Sequence, residues 1–96
     1  MTFEQGDILK IEGLKVEFLV VSKNFFNMTE QAILCPITKE TFRDPLHIWI
    51  NQIEKFVLCE QMRLFDLRYR GWKKTNSIPY VELINIVDAI QSIFDY

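Results

Sequence analysis

The chain has 96 residues, 49% of them apolar, with eight Phe, three Tyr and two Trp, and a net charge of −2. That length suits a single domain, residues 1–96, able to bury roughly 60–70% of the surface its unfolded form exposes, and a quarter charged is too few for disorder. Near-neutrality excludes a surface that is basic all over, although Arg63, Arg68, Arg70, Lys73 and Lys74 crowd into one stretch and allow a local basic patch.

In chain order, Ile8-Leu9-Lys10-Ile11 reads as a short strand ended at Glu12-Gly13, and Val16-Glu17-Phe18-Leu19-Val20-Val21 as a second, paired with it in a hairpin. Residues 22–30 are polar apart from Phe25, Phe26 and Met28 and read as a loop or short turn, with Asn24 and Asn27 as turn formers. Ala32-Ile33-Leu34-Cys35-Pro36-Ile37 is a third strand in which Pro36, lacking an N–H, marks an edge, a bulge or the end. Leu46-His47-Ile48-Trp49-Ile50 alternates as a strand with one wet face, which would carry His47. Lys55-Phe56-Val57-Leu58-Cys59 gives a fifth strand and residues 69–74 a short sixth.

From Ser77 the apolar period lengthens to three or four, through Val81, Ile84, Val87, Ile90 and Phe94 with Leu83, Ile86 and Ile93 beside them, predicting a helix over 77–94. Ser77 is the expected N-cap and Pro79 falls in the first turn, where its missing N–H costs little. The fold expected is therefore mainly β with a C-terminal α-helix, a small, strongly curved sheet or SH3-like barrel. Cys35 and Cys59 lie in apolar runs without a CxxC partner and read as buried thiols of a reducing, cytoplasmic environment. No stretch reads as a membrane span or a secretion signal, and no His, Cys or carboxylate cluster at ligand spacing calls for a metal or another cofactor.

Five pieces in order carry a resemblance. They are Gln5-Gly6-Asp7-Ile8, Phe18-Leu19-Val20-Val21-Ser22, Ile33-Leu34-Cys35-Pro36-Ile37-Thr38, Pro45-Leu46-His47-Ile48 and Val57-Leu58-Cys59-Glu60-Gln61-Met62-Arg63 with Asp66. Together they resemble the PemK/MazF toxins. The resemblance implies a CcdB/PemK-like barrel, assembled as a homodimer, that cuts single-stranded RNA in the cytoplasm without metal or cofactor and is silenced by an antitoxin protein. It implies cleavage by attack of the RNA's own 2′-hydroxyl on the adjacent phosphate, helped by an Arg opening the second strand and a Thr or Ser ending the third. Thr38 matches the hydroxyl; the arginine's place is taken by Val16, with Glu17 after it and Lys15 as the nearest cation.

The catalytic candidates are thus Thr38 and Lys15, and the RNA-binding candidates are Gln61, Arg63 and Asn27. Arg63 has a competing role, since Glu60 and Asp66 are both in reach for an ion pair. The run of Arg68, Tyr69, Arg70, Trp72, Lys73 and Lys74 interleaves cations and aromatics as single-strand binders do, or it is simply a solvated strand. The functions expected are a sequence-selective endoribonuclease toxin, a catalytically degenerate relative that binds nucleic acid or antitoxin, and last a gyrase-directed CcdB-like toxin, whose C-terminal Trp-Gly-Ile is here replaced by Ile93-Phe94-Asp95-Tyr96; a plain SH3-like protein-binding module would produce the same strands.

Overall fold

A computed structural model describes residues 2–42 and 44–94; Asp95 and Tyr96, half of the segment compared above with the CcdB-like C-terminus, lie outside the described residues. Seven strands and two helices follow one another as β1 (Asp7–Ile11), β2 (Glu17–Val20), α1 (Asn24–Asn27), β3 (Gln31–Thr38), β4 (His47–Ile50), β5 (Lys55–Leu58), β6 (Arg63–Asp66), β7 (Trp72–Ser77) and α2 (Tyr80–Gln91). Every pairing is antiparallel, in the order β4-β5-β3-β2-β1-β7, with β6 also on β3. Among the described residues no pairing joins β4 to β7, so the sheet is curved but open, and of the two forms expected from the sequence it is the curved sheet rather than a closed barrel.

The curvature comes from β3, which serves two partners on one side. Residues 31–34 pair with β6 and residues 37–38 with β5. Ile33 turns its N–H to Ser22 and its C=O to the Val21 N–H, so alternation turns the Pro36 nitrogen the other way, into the gap between β6 and β5. A missing donor costs no ladder bond there, which is how a proline fits inside an eight-residue strand.

Both faces of the central strands are buried. Ile8, Leu19 and Cys35, one row across β1, β2 and β3, pack with Ile37, Val57 and Cys59 against Leu83 and Ile86 of α2. The opposite face, Leu9, Phe18, Val20 and Leu34, is closed by Phe3, Phe65 and Leu67, with the Phe18 and Phe65 rings edge to face at 5.1 Å. Apolar residues on both strand faces account for the continuous Phe18-Leu19-Val20-Val21 run. Cys35 and Cys59 are fully buried, and desolvation pushes both thiols up to about 12.

The Gly-Asp pair near the start ties the ends together. Gly6 sits at φ 95°, favourable for glycine; its N–H reaches the Val20 carbonyl and its C=O accepts from Ile78, just before α2. Asp7 accepts from the Glu4 N–H at 2.8 Å and pairs with Lys74 of β7 at 3.2 Å.

The boundaries differ most from the sequence reading at β6, at β7 and at the helix, which ends at Gln91 instead of running to residue 94. The Arg63–Asp66 strand was not expected, and β7 lies three residues beyond the expected 69–74. Ser77 ends β7 instead of capping the helix; the Pro79 carbonyl takes the first helical bonds, from Glu82 and Leu83.

Candidate active site

The C-terminal end of β1, the start of β2, the end of β3 and the start of β5 meet at one edge of the sheet, because antiparallel neighbours bring alternate termini together. There they enclose a pocket of about 420 Å³ lined by Lys10, Lys15, Val16, Glu17, Ile37, Thr38, Lys39 and Lys55. Thr38, Lys15 and Val16, the position of the missing arginine, therefore share one cavity. Lys15 and Val16 both precede β2, in the turn where strand alternation does not yet operate, so adjacent residues open on the same space.

Four lysines and one carboxylate make this pocket cationic. Glu17 is engaged: its carboxylate accepts from Lys55 Nζ at 3.0 Å and from the Thr75 hydroxyl. Chiefly through the Thr75 bond, and then through Lys55, its carboxyl is held below the usual range. A carboxylate so stabilised is a poor proton acceptor, so Glu17 orders Lys55 more readily than it moves protons. Lys10 Nζ donates to the Lys15 carbonyl at 3.3 Å and braces the turn. The half-buried Thr38 hydroxyl contacts only Glu40, at 3.3 Å to its N–H and 3.4 Å to its C=O, both at the long end of the range, leaving it able to turn to a phosphate oxygen. Lys10, Glu17, Lys39 and Lys55 were not singled out from sequence; only the fold reveals them, setting residue 10 opposite residue 17 in the β1–β2 register and bringing Lys55 to Glu17 from the far side of β3.

The other candidates lie elsewhere. Arg63 opens β6 opposite Leu34, four residues or roughly 13 Å along β3 from Thr38, in a separate cavity with Leu14 and Arg70. Neither expected ion pair forms, because Glu60 is taken by His47 and Asp66 by Arg68. Gln61 is exposed on the 3-10 turn Cys59–Gln61 that precedes β6. Asn27, expected at the surface, is instead buried: its Oδ1 accepts from the Ser22 hydroxyl and its Nδ2 donates to the Ser22 carbonyl at 3.0 Å, and Ser22 Oγ accepts from the Ile33 N–H, so the amide ties the α1 loop to β3. Asn24 likewise holds the Gln5 N–H at 2.7 Å. Within the basic run, Arg68 is bidentate on Asp66 at 3.0 and 2.8 Å, and Lys74 is on Asp7, leaving Arg70 over the Phe65 ring and Lys73 exposed.

His47 also differs from the wet-face reading. Residues 41 and 42 fold over it, so that Nδ1 lies 3.0 Å from the Phe42 carbonyl and 3.2 Å from the Thr41 hydroxyl, while Nε2 meets Glu60 at 2.9 Å. The Phe42 carbonyl and then Glu60 favour the imidazolium and raise its pKa. Among the described residues no three His, Cys, Asp or Glu side chains converge as a metal site, and no helix is long and apolar enough to cross a membrane.

An open, curved antiparallel sheet packed on a C-terminal helix, with a cationic pocket at one edge, defines a small β-sheet domain with a site suited to an anion. Residues 6–94 match the sequence profile of the PemK-like, MazF-like toxins of type II toxin–antitoxin systems, and the chain belongs to that family, whose members are generally endoribonucleases. Among solved structures, a MazE–MazF complex from Deinococcus radiodurans (Form-I) superposes with TM-score 0.87 at 19% identity over 98% of this chain and 97% of that one. An endoribonuclease from Mycobacterial species gives 0.85 at 14%, covering 98% and 92%. An endoribonuclease in complex with its cognate antitoxin, from Mycobacterial species, gives TM-score 0.83 at 14% identity, covering 96% of this chain and 94% of that one. No curated protein sequence matches the chain.

Proposed function

We propose that the chain is a cytoplasmic, homodimeric endoribonuclease that cleaves single-stranded RNA without metal in the pocket at the β1, β2, β3 and β5 termini, and that an antitoxin protein silences it. The observation carrying this reading is the convergence of Thr38, Lys15 and three further lysines around one cavity, although they come from four separate segments. The solved MazE–MazF and endoribonuclease–antitoxin complexes of the same fold support the partner.

In this scheme the 2′-oxygen attacks the adjacent phosphorus, the bond to the 5′-oxygen breaks, and the products are a 2′,3′-cyclic phosphate and a 5′-hydroxyl end. The transition state concentrates negative charge on the non-bridging oxygens. The Thr38 O–H donates to one of them, and the ammonium groups of Lys15 and Lys10 supply the charge that an arginine at position 16 would otherwise bring. DNA, with no 2′-hydroxyl, is not a substrate. The test is incubation with a long mixed-sequence RNA in EDTA followed by end-group analysis. Cyclic-phosphate and 5′-hydroxyl termini are expected; intact RNA from a well-folded preparation refutes catalysis.

One observation favours the second reading, a degenerate toxin that binds but does not cut. Val16 stands at the arginine position, and Glu17 places a carboxylate in the pocket, committed to Lys55. In that case Val16→Arg gains cleavage that the parent lacks.

A further inference from the structure

Beside the lysine pocket lies a face that phosphate chemistry does not explain. The registers Thr38↔Phe56 and Phe56↔Trp49 put these three side chains in one row across β3, β5 and β4, on one side of the sheet. Thr38 is the inner end of the row and a wall of the pocket; Trp49 is the outer end, on the edge strand. Trp49 is 42% exposed, and its ring stands edge to face on Phe56 at 5.0 Å and 66°, which fixes its orientation and leaves one face to solvent. His47 follows in the same alternation, two residues before Trp49, and carries the 72% exposed Phe42 ring against it at 5.1 Å. The result is a patch of three aromatic rings, half wet and held by its own contacts, beginning where the cationic pocket ends.

An exposed aromatic edge invites several occupants, and charge selects among them. A second copy of this chain or an apolar peptide gains nothing from the adjoining lysines, whereas a polyanion whose repeating unit also carries a planar ring uses both halves. Two strand spacings separate Thr38 from Trp49, roughly 10 Å, so a base next to a phosphate held at Thr38 can lie on the indole. We infer that Trp49, propped by Phe56, is a base-stacking platform for single-stranded RNA, a binding residue for the nucleotide next to the one whose phosphate enters the lysine pocket. This inference rests on the RNA reading above but not on catalysis. Stacking is sequence-tolerant, so the platform favours large bases over small ones without reading hydrogen-bond edges.

The experiment measures binding with ligands that cannot be cut. The protein is titrated at low salt into a mixed-sequence 2′-O-methyl RNA oligomer and into the abasic 2′-O-methyl ribose–phosphate oligomer of equal length, each carrying a terminal fluorescein whose anisotropy is followed. The parent is expected to bind the base-bearing oligomer about 5- to 150-fold more tightly, the range of one stacked base. Trp49→Leu, which keeps an apolar side chain on the strand, is expected to lose that preference while holding the abasic oligomer as before, and Trp49→Phe to retain most of it. Equal weakening for both oligomers, an unchanged preference in Trp49→Leu, or loss of a dimer on that substitution overturns the platform. So does failure of the parent to bind either oligomer. Base-dependent binding with no cleavage of unmodified RNA removes the nuclease reading and leaves the platform; cleavage with a Trp49→Leu variant indistinguishable from the parent does the reverse.

Discussion

Thr38 and Lys15 reach the same cavity from a strand end and a turn, and each is testable alone. If the Thr38 hydroxyl donates to the crowded phosphate, Thr38→Val keeps the volume, loses the donor and lowers the cleavage rate by roughly 10²–10³. Lys15→Ala is expected to fall by a similar factor and Lys15→Arg to match or exceed the parent, since a guanidinium grips two phosphate oxygens at once. Single-turnover cleavage rates decide both, and a Thr38→Val enzyme as fast as the parent removes Thr38 from the chemistry. His47 gives a second prediction. Its pKa is raised above 6.5 in the fold by the Phe42 carbonyl and Glu60, so its contribution to stability is fully present below about pH 6.5 and is lost as pH rises through the higher folded value. Thermal unfolding between pH 5.5 and 8.5 is expected to show that decline in the parent and not in His47→Gln; parallel curves would mean that the imidazole is already neutral in the fold. The lining of the candidate pocket was legible from sequence only where the family motif reached it, at Lys15, Val16 and Thr38. Lys10, Lys39 and Lys55 are ordinary strand-end lysines until register gathers them, and Asn27 is indistinguishable from an exposed loop amide until Ser22 is seen to hold both its polar atoms.

At the scale of the element, α2 shows what a wide apolar stripe means. Leu83 and Ile86 are buried and Val87 and Ile90 half-buried, whereas Tyr80, Val81 and Ile84 face out, so the stripe is wider than the sheet can cover. Ile86→Asp places an unpaired charge against Val57 and Cys59 in the same core and is expected to cost about 4 kcal/mol, with Ile90→Asp costing less because that position keeps some water. Chemical denaturation measures both; an Ile86→Asp domain as stable as the parent would detach the helix from the fold. The strands that alternate or run apolar, β1 to β5, were readable because burial wrote them into the sequence. β6 was not, since Leu64 and Phe65 are adjacent and only Phe65 turns inward, over Phe18. After Trp72, which packs edge to face on Phe3, β7 is polar and exposed and is held to β1 by backbone bonds, so no hydrophobic period marks its limits and its start was misplaced by three residues. The same blindness moved the helix start, because Ser77 reads as a cap only if β7 is not known to run through it.

For the whole molecule, the surface itself argues for assembly. Apolar surface is contiguous along α2, where Tyr80, Val81 and Ile84 follow one another at helical spacing beside a shallow cavity that also touches Gln5, Lys23, Asp88 and Gln91. A two-fold interface sets such a stripe against its own copy, each helix covering the other's exposed residues, and a stable one removes about 800 Å² from each protomer. The parent is therefore expected to sediment at twice the protomer mass across the micromolar range. Ile84→Glu points a charge at its symmetry mate in that arrangement, which repels and is desolvated at once, so this variant is expected to sediment as a protomer with its unfolding midpoint, measured at equal concentration, lowered only by the lost association. A parent of protomer mass refutes the dimer outright. A dimeric Ile84→Glu moves the interface off α2, and Leu64, 62% exposed on the free side of β6, becomes the next residue to charge. Dimerisation and RNA binding separate cleanly here, because Ile84 lies on the helix and neither the lysine pocket nor the Trp49 row includes any residue of α2. An Ile84→Glu protomer that still binds the 2′-O-methyl oligomer would show that each pocket is complete in one chain; one that loses it would show that the groove is finished by the second copy.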